Sequence, residues 1–109
     1  MLAICKTMWH TQYVKFVWDA AKNKTNFKKH GVWFETAAHI FTDMRAVKIF
    51  DAAHSVDEDR WIVIGMAQGS VLFVVETDID DETVRIISAR KANKREVEAY
   101  YGRNNIYDS

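Results

Sequence analysis

At 109 residues, 49% hydrophobic and 28% charged, the chain has the size and balance of a single folded domain with one core. No stretch approaches the ~20 uninterrupted apolar residues of a membrane-spanning helix, and a start with one lysine and no long apolar run predicts no signal peptide. A lone Cys5 excludes an internal disulfide, no Cys/His spacing suggests zinc, and a reducing cytoplasm is the expected location.

The net charge of zero excludes a surface uniformly coated for nucleic acid, but the charges are segregated. Lys15, Lys22, Lys24, Lys28 and Lys29 crowd one segment, and Arg85, Arg90, Lys91, Lys94 and Arg95 another. Acids gather at Asp51, Asp57, Glu58 and Asp59 and again from Glu76 to Glu82. If the basic segments meet in the fold, a positive patch survives the neutral total; otherwise they are solvated surface.

In chain order, residues 1–12 show no clear period and predict a loose leader. Tyr13 to Trp18 is aromatic and β-branched, as a strand requires. Asp19 is placed to cap a helix running to about His30, where Lys28, Lys29 and His30 precede Gly31 as helix-stop residues. Phe34, Ala37, Ala38 and Phe41 carry the i, i+3, i+4, i+7 spacing of a second helix with one buried face. Val47, Ile49 and Asp51 predict a strand, and His54 to Asp59 a polar loop. Trp61 to Met66 and Val71 to Val75 predict a hairpin turning at Gln68 and Gly69. An acidic turn at Asp78 to Glu82 leads into a strand from Thr83 to Arg90. Asn93 with Glu96 resembles a capping box for a last helix through Tyr101, with 102–109 as a tail. The expectation is one α+β domain spanning 13–101, its helices packed on a mainly antiparallel sheet of about four strands.

Two groups of residues could carry chemistry. Lys22, Asn26, Lys29 and His30 share one helix face, which is either a solvated stripe or a surface that binds phosphate while His30 exchanges a proton. On a regular strand Arg85 and Arg90 point to opposite faces, and Arg85 joins Ile87 and Ala89. Arg85 then needs either an ion pair with Glu58 or Asp51, or a phosphodiester; Arg60 carries the same ambiguity. His54 and Glu58 share a loop and could serve as base and orienter, or pin the loop. His39 is expected on an exposed helix side, and His10 in the leader. No metal-ligand cluster, Ser–His–Asp order or phosphate-cradling glycine loop is present.

Two longer stretches go further. Trp18-Asp19, Lys22, Asn26, Lys29-His30-Gly31-Val32, Phe34-Glu35 and Ala37 form the first; Arg85 to Ala92 with Lys94 and Glu96 form the second. Between them come Phe41, Asp43, Asp51, His54-Ser55, Glu58, Arg60 and Ile64-Gly65. Over about Phe16 to Tyr101 the chain resembles the BrnT family of type II toxin–antitoxin systems. The resemblance implies a compact RelE-like fold and a metal-independent endoribonuclease that needs no cofactor and inhibits growth. It implies Lys22, His30, Arg60, Arg85 and Arg90 as catalytic residues, with His30 moving the proton and the others stabilising phosphate. Asn26, Lys29, Lys91 and Lys94 are the implied RNA contacts. The implied partner is a BrnA-type antitoxin in a hetero-oligomer that reaches DNA only through the antitoxin. The alternative is a catalytically inactive binding module in the same regulatory complex.

The chain departs from the family pattern in three places. Its leader is longer, which makes Met8 an alternative start; Met44 stands where a proline is common; and Glu76 to Glu82 is strongly acidic. Five carboxylates near an RNA site would repel the substrate, with the effect screened beyond ~8–10 Å at cellular salt.

Overall fold

The computed structural model describes the backbone of residues 2–9 and 12–104, with side chains from Val14 to Gly102. His10 and the tail from residue 105 lie outside the described residues. In chain order the elements are β1 (Leu2–Trp9), β2 (Gln12–Asp19), α1 (Ala20–His30) and α2 (Phe34–Ala38), the last running into a 3₁₀ turn (His39–Thr42). Then come β3 (Val47–Phe50), a short 3₁₀ turn (Ala52–His54), β4 (Trp61–Ala67), β5 (Ser70–Asp80), β6 (Thr83–Lys91) and α3 (Lys94–Asn104). No helix among the described residues is long and apolar enough to cross a membrane.

The α+β expectation holds, with a larger sheet than expected. Six strands align in the order β1-β2-β6-β5-β4-β3, and all neighbours are antiparallel except β2 and β6, which run parallel. The leader is the main correction. Leu2–Trp9 pairs residue by residue with β2, although its own sequence alternates no polar and apolar positions. An edge strand can take its register from its neighbour's backbone rather than from its own pattern. The last helix likewise continues past Tyr101 to Asn104.

Local signals explain most of the remaining elements. Asp19 accepts from the N–H groups of Ala21 and Lys22, and those bonds, Lys22 first, hold its carboxyl below the usual range. Gly31 ends α1 at φ 71°, the left-handed region that glycine enters without penalty. The β4–β5 hairpin turns through Gln68 at φ 50° and Gly69 at φ 81°, the positive pair of a type I′ turn. Asn93 and Glu96 form the reciprocal capping box, each side chain accepting from the other's N–H at 2.9 Å.

One sheet face carries the core. Val14, Phe16, Trp18, Val63, Val74, Val84, Ile86 and Ala89 are buried there against Phe34, Ala37, Ala38, Ile40 and Phe41. All four apolar positions read for the second helix are therefore internal. Trp61 and Phe73 are only half-buried, so neither is part of that core. The second face is more open: α3 lies against β4, and Ile64 and Tyr100 are buried outside the main cluster.

Candidate functional site

A bulge in β6 decides where the arginines point. Ser88 pairs with Val75 but Ile86 pairs with Glu76, which leaves Ile87 as an extra residue. The alternation therefore reverses within the strand. Val84, Ile86 and Ala89 all face the core, while Arg85 and Arg90 share the opposite face. This corrects the regular-strand reading, which separated the two arginines and placed Arg85 with Ala89. Arg85 lies opposite Thr77 and beside Val17, and Arg90 opposite Phe73.

The loop before β4 brings polar groups to Arg85. Ser55 Oγ accepts from the Arg60 N–H at 2.9 Å and donates to the Asp51 carbonyl at 2.6 Å, closing the loop. Thr77 Oγ1 donates to the Asp59 carbonyl at 2.6 Å and ties it to the sheet. Within this frame Arg85 donates to Glu58 at 2.6 Å. His54 Nδ1 lies 3.0 Å from the Asp51 carboxylate, and its ring is largely exposed. His54, Asp57, Glu58 and Arg60 line an open depression of about 290 Å³. The buried Nε of Arg60 has no hydrogen-bond partner there.

Arg90 is more tightly held. It makes a two-pronged contact with Glu96 at 2.8 Å on both oxygens, and its guanidinium lies 4.0 Å from the Phe73 ring centre. The bond from Arg90 is the main reason the Glu96 carboxyl sits below its usual range, and it raises Arg90 in turn.

The α1 candidates fall elsewhere. Lys22, Lys29 and His30 are exposed on α1, and no described carboxylate pairs with His30. Asn26 does not join them: it is buried, donating to the carbonyls of Val32 and Ala89 and accepting from the Ala89 N–H. With its amide spent on the backbone, it cannot reach RNA. Lys91 and Lys94 are exposed at the end of β6 and the start of α3. The site residues thus divide into a loop–sheet group around Arg60 and Arg85, and a group around the end of α1.

Sequence reasoning missed two residues. Asp51 was weighed only as a partner for Arg85, but it holds His54; their i, i+3 spacing ahead of Ser55 was the available signal. Glu76, read as part of the acidic turn, is a fully buried strand residue. Burial first, then a hydrogen bond with Asp78, pushes its carboxyl up to about 9 against the pull of Lys48. It is protonated at neutral pH, and Asp78 is paired with Lys48 at 2.8 Å. The acidic segment therefore repels an anion less than its composition suggests.

Among the described residues, no group of three or more His, Cys, Asp or Glu side chains is placed to hold a metal ion. A family model described as "Ribonuclease toxin, BrnT, of type II toxin-antitoxin system" matches residues 18–96. Among solved structures, the chain is similar to the ribonuclease toxin BrnT of Brucella abortus at 26% identity and a TM-score of 0.53. That likeness covers 71% of this chain and 94% of the Brucella chain. Comparison with curated proteins gives no match.

Proposed function

Because this chain belongs to the BrnT family of ribonuclease toxins of type II toxin–antitoxin systems, we propose that it cleaves RNA through the substrate's own 2′-hydroxyl, with His54, Arg60 and Arg85 as the reacting groups. The observation that carries this reading is a carboxylate-held imidazole that shares one open depression with Arg60 and with Glu58, the residue that holds Arg85.

The chemistry divides among them as follows. Asp51 accepts from Nδ1–H of His54, which leaves Nε2 free to take the 2′-hydroxyl proton. The 2′-oxygen then bonds to phosphorus, the 5′-oxygen departs and takes a proton from solvent, and a 2′,3′-cyclic phosphate remains. Arg60 and Arg85 stabilise the charge that builds on the phosphoryl oxygens. Arg85 is available for this because its pair with Glu58 is more than a third exposed on both sides, a class of ion pair worth at most about 1 kcal/mol. A phosphodiester can displace Glu58.

Each step uses protein groups and water, and calls on no metal or cofactor. His54 replaces His30 as the proton carrier, since His54 alone of the two has a carboxylate to orient it. Lys22, Lys29 and His30, with Lys91 and Lys94, then hold the RNA backbone. Arg90, clasped by Glu96, orders the start of α3 beside the site. A BrnA-type antitoxin would neutralise the toxin by covering the loop–sheet group, in a cytoplasmic hetero-oligomer that contacts DNA through the antitoxin.

Induced expression of the chain alone in a bacterial host tests this reading. Growth arrest with loss of total RNA, abolished by Arg85→Ala and His54→Ala, is the expected result. Normal growth with soluble, folded protein would favour the inactive binding module.

A further inference from the structure

The end of α1 carries an aromatic pair that the loop–sheet group does not use. Phe27 and Trp33 stack with ring centres 4.1 Å apart and planes 10° from parallel. Gly31 makes this possible: its N–H donates to the Phe27 carbonyl at 2.8 Å, and its positive φ turns the chain back over the last turn of the helix. Both rings stay substantially exposed, at 38% and 39%.

The surroundings suit an anion carrying a flat ring. Trp33 and Lys91 both line a depression of about 230 Å³, floored by the buried Val32, Ala67 and Leu72, and no carboxylate lines it. Lys24 and His30 lie three residues to either side of Phe27, hence beside its ring on the helix surface. The depression is smaller than a typical small-molecule pocket of ~300–1,000 Å³, which favours a single heterocycle. A two-ring patch is also far short of the apolar area that marks a protein-docking surface.

We propose that this is a second RNA subsite, where one unpaired base stacks on Trp33 and its flanking phosphates bind Lys24 and Lys91. The inference rests on the reading that RNA is the substrate, and adds a feature by which RNA would be gripped away from the bond that breaks. Arg85 and Lys91 lie five β5 positions apart and, by the alternation on either side of the bulge, point to opposite faces of the sheet, so an RNA that reaches both must pass round it. The subsite therefore favours single-stranded substrates longer than a few nucleotides.

The test is anisotropy of a labelled 12-nucleotide RNA with 2′-O-methyl riboses, which binds without being cut. Trp33→Leu keeps an apolar cover on Phe27 but removes the stacking face, and should weaken binding by about tenfold; Trp33→Phe should restore most of it. Oligonucleotides with one abasic position should include one that weakens the wild type by a similar factor and leaves Trp33→Leu unaffected. Equal binding by wild type and Trp33→Leu, or abasic losses of the same size in both, would overturn the proposal. So would loss of antitoxin binding with RNA binding intact, which would assign the rings to a protein partner. Cleavage of unmodified RNA is scored separately. Cleavage without Trp33-dependent binding sinks this inference alone, whereas Trp33-dependent binding without cleavage sinks the nuclease reading and leaves the subsite standing.

Discussion

The side-chain amide of Asn26 holds both backbone polar groups of Ala89, donating to its carbonyl at 2.8 Å and accepting from its N–H at 3.1 Å. β2 pairs with β6 only as far as Arg85, so Asn26 takes the place that a longer β2 would have filled, and α1 is pinned where the sheet stops. Asn26→Ala strands three buried backbone bonds, including that to Val32, and should cost about 2–4 kcal/mol in urea unfolding. A variant as stable as the parent would contradict this role.

Glu76 sets a pH dependence of defined sign. Its folded carboxyl titrates near 9 against an ordinary 4.5, so between these values the folded state holds a proton that the unfolded state has lost. Stability from this group is complete below about 4.5 and declines as pH rises towards 9. Glu76→Gln should remove that decline and unfold at higher denaturant than the parent at pH 8, by more than the ~1.4 kcal/mol equivalent of one pH unit. Parallel stability profiles for the two proteins would show that Glu76 is not a buried acid.

Core aromatics should separate from half-buried ones. Phe34 and Phe41 are fully buried, and Phe41 packs on Phe16 with ring centres 4.8 Å apart. Phe34→Ala and Phe41→Ala should each cost about 3–5 kcal/mol, with Trp61→Ala and Phe73→Ala clearly smaller. Thermal melts of the four variants check the ranking, and a larger loss at Trp61 would reverse it.

Gly65 is crowded by the core. A Cβ added there would lie 3.0 Å from the Ile40 Cβ and 3.1 Å from the Ala46 Cβ. Because Ile40 is fully buried and cannot withdraw, Gly65→Ala should lose about 1–3 kcal/mol by overpacking. A higher melting temperature would mean that the 3₁₀ turn carrying Ile40 can shift.

How far the sequence carried the structure depended on whether a signal was local. The Asp19 cap, the Gly31 stop, the Asn93–Glu96 box and the Gln68-Gly69 turn each act within a few residues, and each was legible. β1 was not, because its partner β2 supplies its register. The bulge at Ile87 was not either: it arises from pairing with β5, and no residue in Arg85 to Arg90 announces it. That one displaced residue put Arg85 and Arg90 on a common face. Asn26 was misplaced for a related reason, since helix periodicity cannot say that the edge of β6 lies beside it. Arg60, Glu58 and Arg85 were all named from the sequence, but their meeting depends on a loop closed by Ser55 and Thr77.

Incubation of the purified chain with an end-labelled single-stranded RNA, beside His54→Ala and Arg85→Ala, reads out whether the loop–sheet group cleaves RNA. Cleavage to 2′,3′-cyclic phosphate and 5′-hydroxyl ends that persists in EDTA is predicted. His54→Ala should slow it by about 10²–10⁴-fold and Arg85→Ala by about 10²–10³-fold. Cleavage at the parent rate by both folded variants would contradict the account and place the chemistry elsewhere on the molecule.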